Sequence, residues 1–76
     1  EVYEGEWKND EKEGQGEYIW KDGSVYQGEW KGGMRDGKGK IRYNNGDIYE
    51  GAWRNNVKKG KGKMTYANGG VCEKEW

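Results

Sequence analysis

At 76 residues the chain has room for one small domain, and its 15 Gly, 5 Trp and 6 Tyr stand beside no Phe, Pro, His or Leu. Net charge is zero with 37% of residues charged, which leaves little apolar material for a core, yet disordered tracts are usually poor in the Trp and Tyr abundant here. The single Cys excludes an internal disulfide framework and fits a reducing, cytoplasmic setting, and no apolar run reaches the length of a membrane-spanning helix.

The first element is "YEGEW". Its period of two sets Tyr3, Gly5 and Trp7 on one face and Glu4 and Glu6 on the other, a half-exposed strand. A connection, "KNDEKE", reads as a longer, polar loop. The next element, "GQGEYIW", puts Gly14, Gly16, Tyr18 and Trp20 on one face and Gln15, Glu17 and Ile19 on the other. Glycine recurring through both elements argues against helix, at roughly 1 kcal/mol each. Asp22-Gly23 then signals a hairpin. For Trp20 and Tyr26 to share a face, the loop needs an odd number of residues, so a three-residue loop with glycine in a left-handed bulge position is expected.

At Tyr26 the pattern restarts. Tyr3, Tyr26 and Tyr49 recur at one interval, as do Gly5, Gly28 and Gly51, and Trp7, Trp30 and Trp53. The pairs Gly14/Gly16, Gly37/Gly39 and Gly60/Gly62 repeat with them, as do Trp20, Tyr43 and Tyr66, and Gly23, Gly46 and Gly69. Asn45-Gly46 and Asn68-Gly69 are the corresponding turns. One array spans 1–76, with repeats 3–25, 26–48 and 49–71. The stretch 72–76 begins a fourth, with Cys72 in the tyrosine position, and is either a degenerate capping strand or the end of the ordered array. Starting at Glu1 and Val2, in the register of Val25 and Ile48, the chain reads as a segment of a longer array. The predicted fold is all-β: hairpins in tandem, each marginal alone and stabilised by stacking on the next, with the end hairpins needing a neighbour. Glycines on the ring face serve as seats on which rings of neighbouring strands lie.

The unit Tyr-x-Gly-x-Trp followed by Gly-x-Gly and an aromatic closely resembles the MORN repeat. That resemblance implies an elongated, single-layer antiparallel sheet of hairpins, curved and groove-like, lined by the repeat aromatics. It spans residues 3–71. The family's usual His-Gly step is replaced by Glu13-Gly14, Asp36-Gly37 and Lys59-Gly60, and in the fourth unit Lys74 stands in the first glycine position. Members occur in membrane-junction, ciliary and cytoskeletal proteins and beside kinase and methyltransferase domains, so the resemblance implies a cytoskeletal or membrane-associated setting without fixing a function.

Little in the chain suits catalysis. It has no His, one Ser and one Thr, and Cys72 has no candidate base. No cluster has metal-ligand spacing, and "GKGK" at Gly37 and Gly60 lacks the context of a phosphate loop. No enzyme activity, cofactor or metal is expected. Two binding surfaces remain. One is the aromatic face, Tyr3, Trp7, Tyr18, Trp20, Tyr26, Trp30, Tyr43, Tyr49, Trp53 and Tyr66, part of which should stay exposed and take a protein helix, an extended peptide or a second copy of the chain. The other is basic. Lys38, Lys40 and Arg42 alternate opposite the aromatics, with Lys61 and Lys63 one repeat later and Lys58 and Lys59 in the nearby loop; adjacent hairpins should merge these rows into a patch for anionic phospholipid. Nucleic acid is not expected at zero net charge. Residues 1–30 carry nine acids against three bases, and residues 31–71 ten bases against three acids, a polarity that would steer head-to-tail or antiparallel self-association.

Overall fold

The computed structural model describes all 76 residues, 1–76. Seven strands follow in order: β1 (Val2–Lys8), β2 (Glu11–Ile19), β3 (Val25–Lys31), β4 (Met34–Arg42), β5 (Ile48–Arg54), β6 (Val57–Thr65) and β7 (Val71–Glu75). Each pairs antiparallel with the next, giving one open sheet in sequence order. Its extents, 40 × 26 × 14 Å, are those of a single layer with side chains on both faces, as the repeat pattern predicts.

Two kinds of turn alternate. Between β2 and β3 the Trp20 N–H donates to Ser24 O (2.9 Å) and the Gly23 N–H to Trp20 O (3.0 Å), with Gly23 left-handed at φ 93°. This is the expected three-residue loop. It recurs between Tyr43 and Asp47 and between Tyr66 and Gly70. The other connection differs from the sequence reading. Only Asn9 and Asp10 separate β1 from β2, both left-handed at φ 51° and 65°. Gly32-Gly33 and Asn55-Asn56 do the same later. These are two-residue turns with positive φ at both positions, whose twist suits the strands they join. Asn, Asp and Gly are the residues that tolerate such a backbone, which is the signal the "KNDEKE" reading passed over.

The register draws straight rows across the sheet. Tyr3, Tyr18, Tyr26, Ile41, Tyr49, Met64 and Cys72 form one; Gly5, Gly16, Gly28, Gly39, Gly51, Gly62 and Lys74 form the next. Each tyrosine of β1, β3 and β5 lays its phenol over the glycine row. The Tyr26 hydroxyl passes above Gly28 and Gly39 and donates to Glu29 O at 2.9 Å; a Cβ on Gly28 would sit 2.5 Å from Gly39 Cα and 2.9 Å from that hydroxyl. Tyr3 and Tyr49 repeat the bond to Glu6 O and Ala52 O. Glycine is required there because a ring fills the space a side chain would need.

Beyond the glycine row the ladder shifts. Between Gly5 and Trp7 on β1, and at the matching places on β3 and β5, one residue lies against three on the partner strand. Gly14, Gly37 and Gly60 sit inside these bulges at φ 75°, 99° and 76°. They are therefore backbone glycines and not ring seats, which corrects the placement of Gly14 among the seats.

The core consists of Tyr26, Trp30, Ile41, Tyr49, Trp53 and Met64, with Tyr26 and Tyr49 wholly buried. A tryptophan belongs as much to the repeat before it as to its own. Trp30 Nε1 donates to Gly16 O at 3.1 Å and Trp53 Nε1 to Gly39 O at 3.2 Å. Each ring also stands edge-on to the tyrosine of its own repeat and to that of the preceding one: Trp53 lies 5.3 Å from Tyr49 and 5.4 Å from Tyr26. The stretch 72–76 is ordered and continues the sheet. β7 pairs with β6, and Trp76 stands 5.6 Å from Tyr49 with the same near-perpendicular geometry. Its indole nitrogen is buried and finds no acceptor. Cys72 and Lys74 explain each other. Cys72 lays no ring over position 74, so glycine is no longer required there, and Lys74 Nζ lies 4.3 Å from the Trp76 ring.

Candidate functional site

Three bases close the ring face. Lys12, Arg35 and Lys58 occupy equivalent positions at the start of β2, β4 and β6, each paired across the sheet with a tryptophan: Trp7, Trp30 and Trp53. Lys12 Nζ lies 5.3–5.8 Å from the centroids of Tyr3, Trp7, Tyr18 and Trp30. Arg35 Cζ lies 4.8 Å from Trp53, 5.4 Å from Trp20 and 5.9 Å from Tyr26. Lys58 Nζ lies 5.3 Å from Tyr43 and from Tyr49. Such contacts contribute about 0.5–2 kcal/mol each, more as they desolvate. Burial lowers the Arg35 pKa. Its guanidinium is held by the next hairpin, donating to Asn56 Oδ1 (3.2 Å) and Asn56 O (3.0 Å).

The predicted ring positions differ in accessibility. Trp30, Tyr26, Tyr49 and Trp53 are at most 5% exposed, so they are interior residues with no surface to offer a partner. Tyr3, Tyr18, Trp20 and Tyr43 are half-buried, while Trp7 is 57% and Tyr66 40% exposed. Accessible aromatic surface thus lies along the row Trp20, Tyr43 and Tyr66 at the three-residue loops, at the β1 end and at half-buried Trp76. The cation row was not foreseen. Lys12, Arg35 and Lys58 share the 23-residue interval, and a base recurring in that register was the available signal.

The basic positions do not merge as expected. β5 lies between β4 and β6, and Glu50 pairs with Lys40 on one side and Lys63 on the other. Glu73 flanks Lys63 from β7, Glu75 flanks Lys61, and Ala52 faces Lys38. The row alternates in sign, so it contains no continuous basic strip. Arg42 lies further along, between Val25 and Ile48. Lys58 is on the opposite face among the rings, and Lys59 is exposed beside it. Neither edge strand is basic: β1 carries Glu4 and Glu6 with Lys8, and β7 carries Glu73 and Glu75 with Lys74. The charge polarity along the chain does not bring unlike edges face to face.

The open depressions lie on the face opposite the rings. Two of them lie between the outward side chains that flank the glycine row. One is lined by Glu4, Gln15, Gly16, Glu17, Gln27 and Gly28, and another of about 670 Å³ by Lys38, Lys40, Lys61, Gln27, Glu50 and Ala52 with Gly39 and Gly51. No group of three or more His, Cys, Asp and Glu residues is placed to hold a metal ion, and Cys72 is a half-buried free thiol. No helix is long and apolar enough to cross a membrane.

The family model for the MORN repeat matches three times, at residues 3–25, 26–48 and 49–71. The chain belongs to the MORN-repeat family. The matched spans coincide with the repeats read from the tyrosine interval, and the seat, bulge and cation positions recur once in each MORN unit. No match to a curated protein was found. MORN repeats are repeat modules, and the description of this family names no substrate or ligand.

Proposed function

We propose that this MORN array is a non-catalytic scaffold that holds a segment of a protein partner on its ring face, along the row Trp20, Tyr43 and Tyr66. The observation that carries the reading is the unequal closing of that face. Lys12, Arg35 and Lys58 reach rings of both rows, but Tyr26, Trp30, Tyr49 and Trp53 are closed off within the sheet, while Trp20 and Tyr43 stay half-buried and Tyr66 is exposed. Rings held rigidly by a sheet offer large apolar area at small entropic cost on binding. Repeating units are two strands apart, about 10 Å by ordinary sheet spacing. An extended peptide advances about 10 Å in three residues, so a segment crossing the strands would meet one aromatic and one cation per repeat. Apolar residues with acidic neighbours three apart are the chemistry this row fits. Lipid headgroups are the weaker reading, because Glu50, Glu73 and Glu75 interrupt the basic row.

The test is selection of a random peptide library against the folded protein, followed by amide NMR mapping of the enriched peptides. Contacts at Trp20, Tyr43 and Tyr66, lost in a triple alanine variant and kept in a Lys40→Ala/Lys63→Ala variant, are the expected result. Mapping of the enriched peptides to the opposite face would refute the proposal. Flotation with phosphoinositide vesicles at physiological salt, abolished by Lys40→Ala/Lys63→Ala, would favour the lipid reading instead.

A further inference from the structure

The three repeats are internal controls for one another, and the single residue on the short side of the bulge is Glu6, Glu29 or Ala52. Glu6 and Glu29 turn their carboxylates back into the sheet: Glu6 Oε2 accepts the Gln15 N–H at 2.7 Å, and Glu29 Oε2 accepts the Lys38 N–H at 2.6 Å. Each carboxylate lies where a Cβ on the bulge glycine would go, 2.7 Å from that position at both Gly14 and Gly37. In the third repeat the corresponding residue is Ala52. It brings no acceptor to the Lys61 N–H, and the nearest atom to a Cβ on Gly60 is the Ala52 methyl, 3.8 Å away.

We propose that this gap in the third repeat is a binding site for the carboxylate of an acidic side chain on a protein partner. The first two repeats supply that carboxylate from within. The surroundings also change from repeat to repeat. Lys38, Lys40 and Lys61 line the depression over Ala52, with Glu50 as its one acid. The first-repeat depression has Glu4 and Glu17 and no lysine. A visiting carboxylate places one oxygen on the Lys61 N–H, as Glu29 does on Lys38, and turns the other toward the lysines. Hydrogen bonds between ionised groups and backbone N–H are about twice as strong as neutral ones. Glu50 lowers the affinity of a doubly charged phosphate more than that of a singly charged carboxylate. The site lies on the face opposite Trp20, Tyr43 and Tyr66, so it stands or falls independently of the ring-face reading.

The decisive variant is Ala52→Glu, which restores the carboxylate from the chain itself and does not depend on damaging the fold. Amide spectra would be recorded for the wild type and for Ala52→Glu, with hexaglutamate, acetate, inorganic phosphate and phosphatidylserine vesicles as separate probes. In the wild type, hexaglutamate moves the Lys61 amide downfield saturably, at lower concentration than acetate. In Ala52→Glu that amide is already displaced in the same direction, hexaglutamate leaves it still, and the melting temperature rises. Lys38→Ala/Lys40→Ala weakens binding roughly tenfold, and alanine at Trp20, Tyr43 and Tyr66 leaves it unchanged. A Lys61 amide that hexaglutamate does not move, or moves equally in Ala52→Glu, overturns the proposal. Equal potency of acetate overturns a protein segment as the source, and a response confined to phosphate or vesicles overturns the carboxylate.

Discussion

Trp7 and Trp53 occupy the same position of the repeat, but only Trp53 has a preceding repeat to lie against. It is 5% exposed, against 57% for Trp7. A fully buried ring of about 200 Å² contributes roughly 5 kcal/mol at about 25 cal/mol/Å²; Trp53 retains nearly all of that and Trp7 about 2. Trp53 adds the bond to Gly39 O and a second edge-on tyrosine, each worth about 1 kcal/mol. Allowing for partial relaxation, Trp53→Ala should cost about 4–5 kcal/mol and Trp7→Ala about 1–2. Domains of this size have roughly 4–11 kcal/mol in total, so Trp53→Ala removes a large share of the stability. Trp53→Phe, which keeps a ring and drops the hydrogen bond, supplies a measurable intermediate at about 1–2 kcal/mol. The assay is urea unfolding followed by far-ultraviolet circular dichroism, with the slope checked for constancy across variants. Equal losses for Trp7→Ala and Trp53→Ala would refute the claim that stability resides in contacts between repeats.

Two other perturbations probe the same layer. Gly39→Ala places a methyl into the Tyr26 phenol and should destabilise by about 2–3 kcal/mol, as overpacking does; a thermal midpoint within a degree of the wild type would count against the ring-seat account. Burial pushes the Tyr26 pKa up from 10.0 to about 12 and raises that of Tyr49 as well. An unfolded tyrosine ionises near pH 10, so their contribution is intact below about pH 10 and is lost as pH rises toward 12. Tyrosinate absorbance and circular dichroism recorded together should show these rings ionising as the sheet unfolds, and complete ionisation near pH 10 with the sheet intact would contradict it.

The fold was legible because the pattern has one period within strands and one between repeats. Tyr-x-Gly-x-Trp sets a face, and the parity of Trp20 and Tyr26 fixes the three-residue loop. Parity reasoning fails where the pleat itself is interrupted. The bulge opposite Glu6 gives Gly14 a left-handed backbone and brings a nominally outward carboxylate into the ladder. The site was less legible because exposure is a property of several repeats together. Single-repeat reasoning leaves Trp30 and Trp53 half uncovered, but the preceding repeat brings Lys12 over Trp30 and Arg35 over Trp53. Interleaving matters equally for charge: Lys40 and Lys63 read as one row until Glu50 is placed between them.

The reach of each tryptophan to the strand before it puts structure and sequence out of phase. In sequence the unit opens at its tyrosine and closes before the next one. In the folded sheet, the seat opened by Tyr3 is not complete until Trp30 arrives, and that of Tyr49 waits for Trp76. A closed module therefore overlaps its successor by one strand, and neighbouring modules share that strand. An array counted by its sequence units has one module fewer than its tally unless a trailing Trp follows the last. Here β7, only five residues long, converts the third unit from an open seat into a finished one.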